Sequence, residues 1–293
     1  MKIYYSSEYE CLGYGVDTTE KARDLIESLQ RRPIKGVEVV VPEPATPEQL
    51  ITTHQRAYVN AIMTGSPSDF ADRNGLGDWS PDLRRSVIAS VGGVISATRT
   101  ALTEHKHVGS ASSGLHHARF AFGSGFCTLN GLAIAARVAL LEGAKRVLIV
   151  DLDAHCGGGT ASLIRGVKGI EQVDVSVSRF DHYESGENVS LTMSSGETYL
   201  DDIREALRSV DSPSSIDVVL YNAGMDPHED CHTGGTPGIT TEVLAEREQL
   251  VFEWANDHKI PVAFVLAGGY SNSVLTRDDL VDLHRLTVKQ ATL

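Results

Sequence analysis

Hydrophobic residues fall along this chain in two kinds of run. Short stretches rich in Val, Ile and Leu recur at Arg146–Asp151, Val173–Ser178, Asp217–Tyr221 and Pro261–Leu266. They predict strands buried on both faces, as in a parallel sheet covered by helices. Lys2–Tyr5 and Val37–Val41 predict two more strands nearer the start. Between them lie helical patterns with start signals. Asp17-Thr18-Thr19-Glu20 and Thr46-Pro47-Glu48-Gln49 predict capping boxes, the second with proline at the first helical position. Ser80-Pro81-Asp82 opens a helix towards Leu102, and Leu129–Leu141 predicts another that Gly143 stops. Further helices are predicted over Glu197–Val210, Glu242–Asp257 and Asp278–Val288.

Alternating helices and buried strands predict an α/β fold: a doubly wound, mostly parallel sheet with helices on both faces. No linker, charge block or repeat divides residues 1–293, so a single domain is expected. In such sheets, sites form beyond the carboxyl ends of the strands.

Composition narrows the function classes. With 39 acidic against 26 basic residues the net charge is −13, which argues against nucleic-acid binding. It suits a cationic substrate or, more simply, solubility. Met1–Ser6 lacks the apolar core of a signal peptide and no stretch is long enough to span a bilayer, so no membrane role is expected. Cys11, Cys127, Cys156 and Cys231 form no C-x-x-C pair, which predicts reduced thiols in a cytoplasmic protein. Cys156 sits in a glycine-rich motif that offers it no base, so it is not read as a nucleophile.

The apolar run Val147–Val150 leads directly into Asp151-Leu152-Asp153-Ala154-His155. In an extended chain every second side chain shares a face, so Asp151, Asp153 and His155 would crowd together. Such a cluster needs a cation or hydrogen bonds to compensate it. A polar strand end capping nearby helices is the plainer alternative. Asp226 follows the run Asp217–Tyr221, where it could complete a three-ligand site with its fourth position open. His228 and His232, just beyond, read as loop histidines. The pair His116-His117 precedes Gly123-Ser124-Gly125-Phe126, and Gly268-Gly269-Tyr270 ends the last apolar strand. Either piece alone is an ordinary surface or packing feature. All four fall where the strand-end rule puts a site.

Together these residues resemble the histone deacetylase family. The matching run is His116-His117-Ala118, Gly125-Phe126-Cys127 with Asn130, Asp151-x-Asp153-x-His155-x-Gly157-x-Gly159, Ala223-Gly224-x-Asp226 and Gly268-Gly269-Tyr270. Trp79–Leu83 and Ser90–Gly93 also look like the family's early helix, and Tyr221–Gly224, Asp151–His155 and Glu246–Phe252 look most like the class IV branch and its bacterial relatives. The resemblance implies an arginase-deacetylase fold and one catalytic Zn2+, or Fe2+, held by Asp153, His155 and Asp226. It implies that His116 and His117 flank the attacking water, that Asp151 buttresses His116, and that Tyr270 donates to the substrate carbonyl. Gly125, Phe126, Tyr183 and Gly268 would line the substrate channel, and a structural K+ would sit near Asp151, Asp153, His155 and Ser176. The implied substrate is an acylated amine, either acyl-lysine or an acetylpolyamine-like molecule.

One departure matters. Many members pair the second histidine with an acid in the glycine-rich motif, where this chain has Gly158. His117 is therefore expected to lack an acid partner and to hold a proton less readily. Two rivals remain. A binuclear-manganese ureohydrolase of the same fold would want a carboxylate at Gly157. A non-catalytic acyl-amine binding protein would need neither Tyr270 nor the histidine pair.

Overall fold

The computed structural model describes residues 1–11, 14 and 20–293. Its strands are β1 (Lys2–Tyr4), β2 (Glu38–Val40), β3 (Val108–Ser110), β4 (Val147–Asp151), β5 (Ile170–Ser176), β6 (Val189–Met193), β7 (Val218–Asn222) and β8 (Val262–Val265). They form one sheet in the order β2-β1-β3-β8-β7-β4-β5-β6, parallel at every pairing. The helices are α1 (Lys21–Arg31), α2 (Pro47–Leu50), α3 (Arg56–Thr64), α4 (Ser68–Ala71), α5 (Pro81–Glu104), α6 (Gly131–Leu141), α7 (Gly158–Ile164), α8 (Tyr199–Arg208), α9 (Thr241–Asp257) and α10 (Arg277–Gln290).

The apolar strands are buried on both sides because alternate residues feed two separate cores. Leu148 and Val150 of β4 pack with Leu25, Ile203, Val251 and Leu280 from α1, α8, α9 and α10. Val147 and Ile149 pack on the other face with Val91, Leu132 and Ile164 from α5, α6 and α7. A strand sandwiched in this way has no solvent face and hence no polar alternation.

Local signals set the helix starts. Thr46 and Gln49 close the expected capping box, and Ser80 Oγ accepts from Leu83 N ahead of Pro81. Asn130 caps α6, and Gly143 takes a left-handed φ of 112° just beyond it. The start expected at Asp17–Thr19 lies outside the described residues.

Five elements were not expected: the short helices α3 and α4, and β3, β6 and α7. β3 is three residues containing a glycine and a serine, β6 is a half-buried edge strand, and α7 begins on two glycines. No described helix is long and apolar enough to cross a membrane.

Candidate metal centre

Chain segments leaving β3, β4, β5, β7 and β8 converge beyond the carboxyl end of the sheet. β4 and β7 lie side by side, with Asp151 opposite Asn222, so the turns that follow carry Asp153, His155 and Asp226 to one point. His155 Nδ1 lies 3.1 Å from Asp153 Oδ1 and 2.9 Å from Asp226 Oδ2. Asp153 and Asp226 are buried. All three offer ligand atoms within 4.8 Å of one another.

Two observations say that this point fits a cation. Asp226 Oδ2 is buried and makes no hydrogen bond of acceptable geometry despite its closeness to His155. A single imidazole proton cannot serve two carboxylates well, and an orphaned buried oxygen calls for another positive group. The second is the cradle around it. Gly268, at a φ of 48°, leaves no room for a side chain: a Cβ there would lie 2.1 Å from Asp226 Oδ1.

The electrostatics agree. Burial, and then the charge of Asp153, raise Asp226 to about 6. Burial opposes a charge on His155, but Asp153 and Asp226 overcome it and push it up to about 10. A bound divalent cation would replace that proton, since it binds the neutral imidazole.

Both histidines of the pair have acid partners. His116 donates from Nδ1 to Asp151 Oδ2 at 2.8 Å, and Asp151 Oδ1 accepts from Asn222 Nδ2 at 2.8 Å. Burial works against a charge on His116, yet Asp151 and Asp153 raise it to about 10. His117 was expected to stand without a carboxylate. Instead its Nδ1 meets Asp181 Oδ2 at 3.0 Å. Its tendency to shed a proton is as expected: burial, then the charge on His116, lower it to about 4.

Tyr270 packs its ring 6.2 Å from Phe126 and 5.9 Å from His232. Burial, and then Asp226 and Asp153, keep its hydroxyl protonated and able to donate. Gly125 backs onto the His117 ring, and the half-exposed Phe126 and Phe180 stand at the rim, with Phe180 5.0 Å from His117. Tyr183 is placed elsewhere: its hydroxyl donates to Ser190 O at 3.0 Å and accepts from Gln172 Nε2 at 2.9 Å, and its ring packs on the second core. Ser176 Oγ donates to Asp174, which also accepts from Gly157 N at 2.7 Å. These bonds use the side-chain oxygens beside Ser176, so the K+ expected there finds no support. Asp174 itself is raised to about 8 by burial and then Asp151.

His228 is buried but bonded to Thr241 Oγ1 at 3.0 Å, away from the ligand cluster. Cys156 is buried, and burial pushes its thiol up to about 12, so it is no nucleophile. A hollow of about 680 Å³ opens at the amino ends of the strands beside Lys35, His105 and Lys259. The chemistry gathers at the opposite end.

Known proteins show the family of this chain. The family model described as the histone deacetylase domain matches residues 16–281. The chain belongs to the histone deacetylase family. An uncharacterized protein of Picosynechococcus sp. is 33% identical over 256 residues, 85% of this chain and 84% of that one. Histone deacetylase 2 of Arabidopsis thaliana is 26% identical over 97% of this chain and 79% of its own. The acetoin utilization protein AcuC of Staphylococcus aureus is 35% identical over 42% of this chain and 34% of its own. Among solved structures, the HDA15 HD domain superposes with a TM-score of 0.76 at 19% identity, covering 99% of this chain and 88% of that one. That likeness supports the arginase-deacetylase fold.

Proposed function

We propose that this histone deacetylase family member is a cytoplasmic, single-domain hydrolase that removes an acyl group from an amine, using one zinc ion held by Asp153, His155 and Asp226. The observation that carries this reading is the orphaned Asp226 Oδ2 at the meeting point of three ligands, beside two acid-partnered histidines. When bound there, zinc would act as a Lewis acid on the amide carbonyl and make a water acidic enough to attack near neutral pH.

The protein's own groups would do the rest. With Nδ1 of His117 engaged by Asp181, Nε2 is the nitrogen left to take the proton of the attacking water. His116, held towards its charged form by Asp151, suits the later delivery of a proton to the leaving amine. Tyr270 donates its hydroxyl to the carbonyl oxygen as negative charge develops on it. Phe126 and Phe180 shield the acyl group from water at the rim.

A binuclear centre is poorly served. Among the described residues the second group able to hold an ion is His116, His117 and Asp153, which shares Asp153 and takes both paired histidines. The deciding experiment offers the purified, zinc-loaded protein acetyl-lysine peptides, longer acyl-lysine peptides and acetylpolyamines, each with and without chelator. Chelator-sensitive release of free amine supports the proposal. A metal-loaded protein inert towards all three would favour the binding-protein alternative.

A further inference from the structure

Asp181 lies on the connection between β5 and β6, far in sequence from the histidine it meets. Its carboxylate is almost fully committed. Oδ2 accepts from His117 Nδ1 at 3.0 Å and from Gly159 N at 2.9 Å, while Oδ1 is paired with Arg119 Nη2. The Asp181 side chain is 7% exposed and the Arg119 side chain 32%. Asp181 also holds a left-handed φ of 59°, a conformation that non-glycine residues adopt at a cost.

The space it fills is created by Gly158. A Cβ on Gly158 would lie 2.1 Å from Asp181 O and 2.8 Å from Asp181 Oδ1. The first contact is with backbone and cannot be relieved by a rotamer change. A side chain at 158 and the observed course of the 178–183 loop therefore exclude one another.

We propose that Asp181, admitted by Gly158 and clamped by Arg119, is the positioning residue of His117, fixing its ring and keeping the proton on Nδ1 so that Nε2 is free to accept one. An ionised carboxylate only accepts hydrogen bonds, so it selects the Nδ1–H tautomer. The same carboxylate steadies the imidazolium once Nε2 has taken a proton. The pairing with Arg119 and the Gly159 amide keeps Asp181 ionised and stationary; His117, then Arg119, hold its carboxyl below the usual range although burial opposes this. The catalytic part of the proposal rests on the hydrolase reading above, whereas the tautomer does not.

The test uses the full chain with its histidine rings labelled with nitrogen-15, the His117 signals being assigned by their loss in His117→Gln. In the parent protein His117 should show a protonated Nδ1 and a bare Nε2. Asp181→Ala and Gly158→Ala should each move it towards a mixture of tautomers. Where hydrolysis is measurable, each should lower kcat by about 10- to 100-fold, with KM and bound zinc little changed. The double variant should lose no more than the worse single one, because both changes remove the same contact. Should Gly158→Ala fail to fold, Asp181→Ala alone decides. An unchanged His117 tautomer in Asp181→Ala, or full multiplication of the two losses, overturns the proposal. Absent hydrolysis in the parent protein would count against the hydrolase reading while the nitrogen signals still judged Asp181.

Discussion

Arg247 Nη1 donates to the carbonyl of Gly224 at 2.6 Å. The same nitrogen reaches Leu152 O at 3.2 Å, so one fully buried guanidinium ties together the two turns that carry Asp153 and Asp226. Glu248 accepts from Arg247 Nε at 2.9 Å and Tyr199 OH lies 3.3 Å from Nη1. The two proposed ligands are thus spaced from beneath by a side chain that makes no hydrogen bond to either of them.

Arg247→Met should leave the buried Glu248 without its counter-charge and the Gly224 carbonyl without its donor. Breaking one partner of a buried pair costs on the order of 3–5 kcal/mol. Urea unfolding should show a loss of that order, and the folded variant should retain less zinc after dialysis. Zinc content equal to the parent's would show that Arg247 supports the fold without spacing the ligands.

Tyr270→Phe removes one hydroxyl and leaves the ring against Phe126 and His232. Loss of a donor to a developing oxyanion should lower kcat by about 10²- to 10³-fold. Metal analysis should find zinc unchanged, since Tyr270 is not among the ligands. Unimpaired turnover in this variant would remove Tyr270 from the mechanism.

Metal removal should be felt by the fold as well as by the chemistry. A ligand that binds only the folded state raises stability by mass action. Chelation should lower the thermal midpoint and abolish hydrolysis, and both should return with zinc. In Asp226→Ala, zinc should restore neither. A parent midpoint indifferent to zinc would speak against the three-ligand site.

His54 offers a pH test away from the metal. Its Nδ1 donates to Arg119 O at 2.9 Å and its Nε2 accepts from Asn130 N at 2.9 Å, so only the neutral ring fits. Burial lowers it to about 4 from an ordinary 6.5. Between those values the unfolded chain binds a proton that the folded one refuses. Stability is therefore full above about pH 6.5 and falls as the pH drops towards 4, by up to about 3 kcal/mol from this group. Thermal melts across that range should show the fall, and His54→Gln should flatten part of it. An equal slope in the variant would place the acid sensitivity elsewhere.

The sequence shows the central strands clearly because β4, β7 and β8 are apolar on both faces, while β5 sets Val173 and Val175 between the buried polar residues Gln172, Asp174 and Ser176. It hides β3, whose Gly109 lies against the Phe264 ring and so contributes contact without a hydrophobic side chain. It hides α7, whose two opening glycines argue against a helix. The residues gathered as the metal cluster could be read from their places after strands. Asp181 could not, because its meeting with His117 depends on the path of a loop. One signal was available: it follows β5, and the strand-end rule applies to that strand as well. Arg247 sits mid-helix, where nothing local marks it as more than a surface charge.

The position of β8 bears on how the chain first folds. β8 lies between β3 and β7, and across it the group β2-β1-β3 is joined to the group β7-β4-β5-β6. Until residues 262–265 have left the ribosome, the facing edges of both groups have no strand to pair with. Unpaired inner edges of this kind are prone to associate with other chains. Tyr270 follows β8 closely, so the hydroxyl proposed to complete the site arrives with the strand that closes the sheet. A nascent chain short of β8 already carries every proposed zinc ligand, yet lacks the strand that joins the two halves of the sheet.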